Sequence, residues 1–492
     1  MPGLALLLTG LVSSPAAAAD FQHVLIVILD DVGTDKVSSY ADDVSNPTED
    51  RPETPTLDLL SNAGVRFSDA WAMPVCSPTR ATVLAGAYPY RTGVGYAISG
   101  ESEVRLGTTT DTLMKLAQDD RLRTGLFGKF HLGTGADTLD EEGIVFGFGA
   151  YPIHLGFDYF AGNMLGAVSA YDDWLYTVSQ AVQRTGRRYV TVATQREDSA
   201  TTVTTDDAIG WMEGAPGHRR FTVVSYNLAH DSPSHAGSGR WDSGAEVCGA
   251  KVGDDTENMK VMVECADAAV LDLLTRTPDL DDTLVVVLGD NGTADTVAEG
   301  NFKDGRGKGT TYENGIRVPF WIADGAAVAL ALRTGGGIPA AARFRLDTGS
   351  VVSAPSSVVD VYATVADLLD LSSRTCSPGS TCGRDSLSLR SVLTGGAPIR
   401  TDVWSETWVA HSDGFSGHAA VREGDVKLVI DVPRGEGCRR YELYDLAADR
   451  WETTDVYGDP AYAVEEARVL DLLTAHEASM NTPWIPAGLC SP

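Results

Sequence analysis

Continuous apolar runs alternate along the chain with stretches in which apolar residues recur at helical spacing. The runs, rich in β-branched residues and leucine, are typical of strands buried on both faces of a sheet; they are residues 24–29, 221–228 and 283–288. The predicted helices are residues 55–63, 256–274 and 358–371. Strands separated by helices predict an α/β fold, with a large, mostly parallel β-sheet sandwiched by helices.

The pattern changes after Gly395, Gly396 and Pro398. Residues 419–430 predict a hairpin that turns at residues 423–425, and residues 464–475 predict a final helix. We therefore expect a catalytic domain over residues 20–396 and a smaller C-terminal antiparallel α+β subdomain over residues 397–492. The glycine-rich stretch 133–205 has no clear period, which predicts insertions and loops.

The first residues predict export. Residues 4–12 are apolar but too few to span a bilayer, and the small residues up to Ala19 follow them. This pattern is typical of a secretory signal peptide, here residues 1–19. No later segment has the roughly 20 apolar residues of a transmembrane helix. We therefore expect a secreted or periplasmic protein without a membrane span, in which disulfides are permissible.

The overall charge narrows the classes of partner. The 492 residues include 38 Lys and Arg against 68 Asp and Glu, which gives a formal net charge of −30. Because nucleic-acid binding generally uses a basic face, we expect no nucleic-acid partner. The seven cysteines are an odd number. In an exported protein this means either an intermolecular bridge or one thiol kept for another purpose.

Oxygen-bearing side chains follow two of the predicted strands. Asp30 and Asp31 come directly after the first run, and Asp290 and Asn291 follow the third run through Gly289. The carboxyl ends of parallel strands share one edge of a sheet, so these side chains could meet in a Ca²⁺ or Mg²⁺ site. Turn formation explains acids after strands equally well. Residues 291–293 also match a glycosylation sequon, which we discount because a metal-facing asparagine could not carry a glycan.

Cys76 lies in the sequence Cys-Ser-Pro-Thr-Arg, just before a helix-like apolar run. At a helix N-terminus and near Arg80 it is either a nucleophile with a lowered pKa or an inert small residue. The Cys-x-Pro-x-Arg pattern resembles the signature of the type I, formylglycine-dependent sulfatases of the alkaline phosphatase superfamily. Further segments resemble elements of the same arylsulfatase-like family in the same order; they are residues 128–133, 307–313, 315–319 and 441–446.

The resemblance implies a role for each of these residues. Cys76 would be oxidised to formylglycine (3-oxoalanine) by a formylglycine-generating enzyme, and a hydroxyl of the hydrated aldehyde would attack sulfur. Ca²⁺, with Mg²⁺ as the alternative, would be held by the modified Cys76 together with Asp30, Asp31, Asp290 and Asn291. Lys129 and Lys308 would bind the sulfate oxygens, and Arg80 would orient the diol. His230, with His235 as the alternative, would protonate the leaving oxygen, and His131 would take the proton of the second hydroxyl.

We therefore expect a sulfatase that hydrolyses a small-molecule or carbohydrate sulfate ester. One alternative is a phosphonate monoester or phosphodiester hydrolase of the same superfamily. Another is a non-catalytic relative that binds sulfated ligands and keeps Cys76 unmodified. Setting Cys76 aside leaves an even number of cysteines, and pairing of sequence neighbours predicts the disulfides Cys248–Cys265, Cys376–Cys382 and Cys438–Cys490.

Overall fold

The computed structural model describes most of the chain. The described residues are 19–43, 51–99, 104–133, 151–183, 188–231, 241–249, 253–299, 305–339, 341–371, 385–412, 414–480 and 483–490. The predicted signal peptide lies outside them except for Ala19. The predicted disulfide Cys376–Cys382 and the alternative acid His235 also lie outside the described residues.

Sixteen strands and thirteen helices are formed by the described residues. The strands are β1 (His23–Leu29), β2 (Gly64–Phe67), β3 (Ala70–Trp71), β4 (Arg123–Lys129), β5 (Tyr159–Asn163), β6 (Trp174–Gln183), β7 (Arg188–Arg196), β8 (Arg220–Ser225), β9 (Thr283–Gly289), β10 (Phe320–Asp324), β11 (Ser350–Val352), β12 (Ser356–Ser357), β13 (Asp402–His411), β14 (Gly414–Glu423), β15 (Val426–Val432) and β16 (Arg440–Asp445). The helices are α1 (Pro55–Ala63), α2 (Cys76–Ala85), α3 (Pro89–Thr92), α4 (Leu113–Asp119), α5 (Tyr151–His154), α6 (Ala200–Glu213), α7 (Asp242–Val247), α8 (Asp255–Arg276), α9 (Glu313–Ile316), α10 (Gly325–Thr334), α11 (Val361–Leu368), α12 (Arg390–Leu393) and α13 (Ala463–Ser479).

Ten strands form one large mixed sheet in the order β11-β2-β10-β9-β1-β8-β4-β5-β6-β7. Its centre, from β9 through β1, β8 and β4 to β5, is parallel. β10 pairs antiparallel with both β9 and β2, and β6 pairs antiparallel with β5 and β7. The carboxyl ends of the five central strands therefore lie at one edge of the sheet.

The central strand β1 is apolar from Val24 to Leu29 because helices cover both faces of the sheet. Val24, Ile26 and Ile28 pack in one core with residues of α2, α4 and α11. The alternate side chains of β1 pack in a second core with residues of α1, α6, α8 and α10. Successive side chains of a strand point to opposite faces, which accounts for the two cores. The predicted α/β fold with a helix-covered, mostly parallel sheet is confirmed.

The C-terminal strands β13 to β16 form a separate four-stranded antiparallel sheet. β14 and β15 pair as the predicted hairpin, with Glu423 opposite Val426. The final helix α13 packs on this sheet through Val469 and Leu473. The predicted antiparallel α+β architecture of this part is therefore confirmed.

A buried group of charges joins this small sheet to the rest of the molecule. Lys427 on β15 lies 3.0 Å from a carboxylate oxygen of Glu313 and 2.8 Å from one of Glu452. The backbone N–H of Glu313 donates a hydrogen bond of 2.7 Å to Glu452. All three side chains are buried. Glu313 begins α9, which follows Lys308, so the small sheet holds the segment next to a predicted site residue.

The prediction of loops over residues 133–205 was wrong for most of its described part. Strands β5, β6 and β7 and the start of α6 lie there. β6 carries polar residues at buried positions, among them Thr177 and Ser179, which are fully buried. Such residues interrupt the alternation of apolar and polar positions that is expected of a half-buried strand. Residues 134–150 and 184–187 lie outside the described part.

Two of the predicted disulfides are present, Cys248–Cys265 and Cys438–Cys490. Cys76 is buried and is bonded to no cysteine that the structure describes. Among the described helices, none has both the length and the apolarity needed to cross a membrane.

The first residue of β1 gives a prediction for stability against pH. Burial lowers the pKa of His23 to about 4, and its Nδ1 accepts a hydrogen bond of 3.2 Å from the backbone N–H of Arg220. The unfolded chain, with an ordinary histidine pKa, binds the proton more readily, so stability should fall as the pH drops from 6.5 towards 4. His23→Asn keeps an acceptor but cannot titrate. We expect the melting temperature of this variant to fall less over that interval.

Thermal melts at several pH values between 7 and 4 check this expectation. The control is the difference in melting temperature between the two proteins at pH 7, where His23 is neutral in both the folded and the unfolded state. That difference should shrink as the pH falls. A constant difference across the range would contradict the assigned role of His23.

Candidate active site

The acidic residues after β1 and β9 lie side by side because the two strands are parallel neighbours in register. Leu29 is paired with Gly289, and the backbone N–H of Asp290 donates a hydrogen bond of 3.0 Å to Leu29. The N–H of Asp31 in turn donates to Oδ1 of Asp290 at 3.2 Å. The predicted meeting of the two strand ends is thus present in the structure.

Cys76 stands at the N-terminus of α2 and faces these acids. Its Sγ lies 3.5 Å from Oδ1 of Asp30 and 4.0 Å from Oδ1 of Asp31. The side chain is buried, as is the whole of α2. The free N–H groups at a helix N-terminus favour negative charge, so this position suits an anion or a group that becomes negative during a reaction.

A basic side chain is paired with each of the three carboxylates. Lys129, the last residue of β4, places Nζ 2.6 Å from Asp30 and 3.4 Å from Sγ of Cys76. Lys308 places Nζ 2.6 Å from Asp31. The Arg80 guanidinium lies 2.7 Å from Oδ2 of Asp290 and also donates a hydrogen bond of 3.0 Å to the carbonyl of Lys129. Arg80 therefore balances the charge of Asp290 and also holds the end of β4 in place.

The protonation of these acids follows from burial and from their partners. Burial raises the pKa of Asp30 to about 6, against the lowering effect of Lys129. Burial would also raise the pKa of Asp31, but Lys308 and His230 hold it well below its usual value. Arg80 likewise outweighs burial and keeps the pKa of Asp290 low. Asp31 and Asp290 are therefore ionised at neutral pH.

The donors fit a hard divalent cation. Ligand atoms of Asp30, Asp31, Cys76 and His230 lie within 4.8 Å of one another. Oδ1 of Asn291 is buried and has no hydrogen-bond partner among the described residues, while its Nδ2 donates 2.8 Å to Asp31. A buried amide oxygen left without a donor is costly unless a ligand satisfies it. Carboxylate and amide oxygens are the ligands that Ca²⁺ and Mg²⁺ prefer.

His131 follows Lys129 and lies deep in the site. Its Nε2 lies 2.9 Å from the carbonyl oxygen of Ile98, and its Nδ1 is buried without a partner in the described part of the chain. Burial, with Lys129 and Arg80 nearby, holds the pKa of His131 well below its usual value. The ring is therefore neutral. It donates from Nε2 to Ile98, which leaves the lone pair of Nδ1 free to accept a proton.

His230 lies on the other side of the acids and is partly accessible. Its Nε2 is 3.9 Å from Asp31, and its Nδ1 is 2.7 Å from the carbonyl oxygen of Asp231. Burial and Lys308 oppose protonation, but Asp31 and Asp30 raise the pKa of His230 to about 10. The two histidines thus differ in charge. His131 is neutral, whereas His230 is protonated at neutral pH.

The site opens on the side of Lys308 and His230. Their side chains are 20% and 16% exposed, whereas Lys129 is fully buried. Lys308 and His230 are therefore closer to solvent than Lys129 is.

Two aromatic residues that the sequence analysis did not assign to the site hold the segment around His230. Tyr171 donates hydrogen bonds to the carbonyls of Asn227, at 2.5 Å, and His230, at 2.9 Å. The Nε1–H of Trp241 donates 3.0 Å to the carbonyl of Ala229. Both aromatic side chains are buried. No local sequence signal reveals these contacts, because they join segments far apart in the chain.

Comparison with known proteins shows the family of this chain. The model of the Sulfatase family matches residues 22–371. Human steryl-sulfatase is 31% identical over 167 residues, which are 32% of this chain and 26% of that protein. Mouse arylsulfatase J is 25% identical over 317 residues, which are 60% of this chain and 46% of that protein. The matched regions thus span about a quarter to a half of these relatives.

A solved structure, Ps i-CgsB in complex with k-i-k-neocarrahexaose, shares the fold. It superposes with a TM-score of 0.69 at 20% identity, over 96% of this chain and 95% of that one. The matched residues include all ten strands of the large sheet and the acids, Cys76, both lysines and both histidines of the site. Because the family model matches well over half of its residues, this chain belongs to the sulfatase family.

Proposed function

We propose that this protein hydrolyses sulfate esters, with the residue at position 76 as nucleophile. The observation that carries the proposal is the placing of Cys76. It lies buried at a helix N-terminus, 3.4 Å from the Lys129 ammonium and 3.5 Å from Asp30, on the path that starts at Lys308 and His230. A nucleophile beside fixed positive charge suits attack on an anionic ester, because the charge that develops on the transferred group is stabilised in place.

The two lysines would bind the sulfate oxygens from different depths. Lys129 is fully buried, while Lys308 is 20% exposed at the entrance. Each now pairs with an aspartate that we assign to the cation. Binding of the cation would let these ammonium groups turn towards the sulfate. Arg80 stays paired to Asp290, and we infer that it holds that carboxylate in place and orients position 76.

Two groups that the family implies would supply the remaining chemistry. We propose that Ca²⁺, bound by Asp30, Asp31, Asp290, Asn291 and position 76, acts as a Lewis acid, and that formylglycine made from Cys76 supplies the attacking hydroxyl. This ligand set is supported by the ionised state of Asp31 and Asp290 and by the buried oxygen of Asn291, for which no described residue is a hydrogen-bond partner.

The two histidines would move the protons. His230, protonated and partly exposed, would donate a proton to the ester oxygen as the bond to sulfur breaks. His131, neutral and with a free Nδ1, would accept a proton at position 76 when sulfate is released. Ser77 supports the second step, since its hydroxyl donates 2.8 Å to the carbonyl of His131 and so ties this residue to the start of α2.

The substrate class is proposed from relatives of two kinds. The curated relatives are a steryl-sulfatase and an arylsulfatase, and the solved structure is a complex with k-i-k-neocarrahexaose. A single anionic group bound deep, with the alcohol left at the entrance, suits either an aryl or a carbohydrate sulfate. We propose an aryl sulfate as the first substrate to test.

The deciding experiment compares two substrates on one preparation. Purified protein should release p-nitrophenol from p-nitrophenyl sulfate with a higher kcat/KM than from bis(p-nitrophenyl) phosphate. The opposite order would favour the phosphonate or phosphodiester hydrolase. The mass of the peptide that contains Cys76 should show the aldehyde. An unmodified thiol together with binding of sulfated ligands but no turnover would favour the non-catalytic relative.

We also propose that the protein is exported and loses residues 1–19, and that residues 20–396 and 397–492 form its two parts. The disulfides Cys248–Cys265 and Cys438–Cys490 support an oxidising compartment. Maturation would then require a formylglycine-generating enzyme as a transient partner.

His230 can be tested by varying the leaving group. A good leaving group such as p-nitrophenolate needs little help from an acid, whereas a sugar or alkyl alkoxide needs a proton. His230→Gln should therefore lower kcat modestly for p-nitrophenyl sulfate and by about 10² to 10⁴-fold for an alkyl or sugar sulfate. Steady-state kinetics on the two substrates measure this contrast.

The matched control is His235→Gln, which changes the alternative acid. We expect it to reduce both rates by the same small factor. Should His235→Gln show the dependence on leaving group and His230→Gln lack it, the acid role would pass to His235.

A further inference from the structure

Thr293 lies at the centre of contacts between three segments that carry site residues. It follows Asn291 by two residues and is fully buried. The sequon that it completes cannot be used in the folded protein, because Asn291 is itself fully buried. The threonine therefore needs another explanation, and its hydrogen bonds supply one.

The hydroxyl of Thr293 joins the turn after β9 to the turn after β1. It accepts a hydrogen bond of 3.1 Å from the backbone N–H of Gly33, two residues beyond Asp31, and donates one of 2.5 Å to Oδ1 of Asp35. A Cβ at Gly33 would lie 2.7 Å from this hydroxyl, so glycine permits the close approach. The hydroxyl of Thr293 thus acts as both a hydrogen-bond acceptor and a donor.

The backbone of Thr293 joins the same turn to the loop of Lys308. Its carbonyl accepts a hydrogen bond of 2.9 Å from the N–H of Lys308. A Cβ at Gly307 would lie 2.8 Å from this carbonyl oxygen, so this approach also depends on glycine. One residue therefore fixes the distance between the Asp31 turn, Asn291 and Lys308.

Asp35, which accepts the hydrogen bond from the Thr293 hydroxyl, is itself held by a buried group of charges. Asp35 also accepts a hydrogen bond of 3.1 Å from the N–H of Glu299, and Glu299 lies 2.6 Å from Nζ of Lys36. Asp35 and Lys36 are buried. Because this ion group cannot shift without exposing or separating charge, the hydroxyl of Thr293 is held against a rigid support.

We propose that Thr293 is a positioning residue that sets the spacing between Asp31 and Asn291 for cation binding. This inference rests on the proposed function, since it takes these two residues as cation ligands. Hydrogen bonds that orient metal ligands commonly contribute about 10- to 100-fold to metal affinity. Without the hydroxyl, the N–H of Gly33 loses its acceptor, and the Asp31 turn is held against Asn291 less rigidly, with the hydrogen bond from the Asn291 side chain to Asp31 remaining.

The test is calcium affinity, measured by isothermal titration calorimetry on full-length protein stripped with a chelator. Thr293→Val keeps the shape of the side chain and removes the hydroxyl. We expect it to weaken calcium binding about tenfold. The half-saturating calcium concentration for activity should rise by the same factor, whereas kcat at saturating calcium should stay within about threefold of the wild type. If Thr293 only stabilised the fold, its replacement would not change calcium affinity independently of kcat.

Two further variants make the result specific. Thr222→Val is the matched control, because Thr222 is a buried threonine on β8 whose hydroxyl has no partner among the described residues. It should leave calcium affinity unchanged. Thr293→Ser keeps the hydroxyl and should bind calcium within about twofold of the wild type. If the valine variant does not fold, comparison of Thr293→Ala with Thr293→Ser gives the same test.

The outcomes separate this inference from the proposed function. If the wild type binds calcium but Thr293→Val binds it equally well, or Thr293→Ala matches Thr293→Ser, the role of Thr293 is overturned and the sulfatase proposal stands. If the wild type binds neither Ca²⁺ nor Mg²⁺, the cation site itself is overturned, and the role of Thr293 with it.

Discussion

Replacing Cys76 by alanine should lower the release of sulfate from p-nitrophenyl sulfate by at least about 10⁴-fold. Loss of a nucleophile has effects of this size or larger in enzymes that form covalent intermediates. The position admits no simple substitute, since it is buried and its near neighbours are the ammonium of Lys129 and the carboxylates of Asp30 and Asp31. Water entering the space would meet the same charges but lack a fixed position.

Cys76→Ser extends this test to the proposed modification. Serine keeps a hydroxyl but cannot become an aldehyde, so we expect at most single-turnover transfer of sulfate to the protein and no sustained release. Melting temperature and calcium affinity, measured on both variants, are the controls for folding. Sustained turnover by either variant at more than about a hundredth of the wild-type rate would contradict a nucleophile at position 76.

Removal of the cation should have the second largest effect. We expect a chelator to lower kcat/KM at least about a hundredfold, because a Lewis acid contributes several kcal/mol to stabilisation of transition-state charge. The melting temperature should also fall and should recover when Ca²⁺ is returned, since a ligand that binds only the folded state stabilises it. Recovery with Mg²⁺ instead of Ca²⁺ would identify the preferred ion.

Asn291→Ala tests the same cation site by substitution of one proposed ligand. It removes the buried oxygen that has no partner among the described residues and leaves the three paired carboxylates in place. Calcium affinity should fall, and the chelator should lower its melting temperature less than that of the wild type. An unchanged response to calcium would show that Asn291 is not a ligand.

Complete burial is what makes the central strands predictable from the sequence. β1 and β9 are apolar at every position but their first or last residues, because both faces of these strands are covered. β6 and β7 escaped prediction because polar pairs lie inside them. Ser179 on β6 and Thr191 on β7, for example, satisfy each other with a hydrogen bond of 2.9 Å. A buried polar residue with a partner across the sheet looks like a loop residue in the sequence.

Some contacts of the active site were also predictable from the sequence, and others were not. The meeting of Asp30, Asp31, Asp290 and Asn291 was predictable, because strand ends converge in any parallel sheet. The pairing of Lys308 with Asp31 and of Arg80 with Asp290 was not, since it depends on contacts between residues more than 200 positions apart. The same holds for Tyr171 and Thr293, whose neighbours in the chain give no sign of their partners.

The buried contact of Lys427 with Glu313 and Glu452 also constrains the evolution of this protein. Replacing Lys427 by a neutral residue would leave Glu313 buried beside the Lys308 loop without its cation, at a cost of about 3–5 kcal/mol. A gene that acquired a foreign C-terminal segment would incur the same cost unless Glu313 changed too. The two sheets must therefore be inherited together, and recombination between them is expected to succeed only among chains that keep both the lysine and the glutamate.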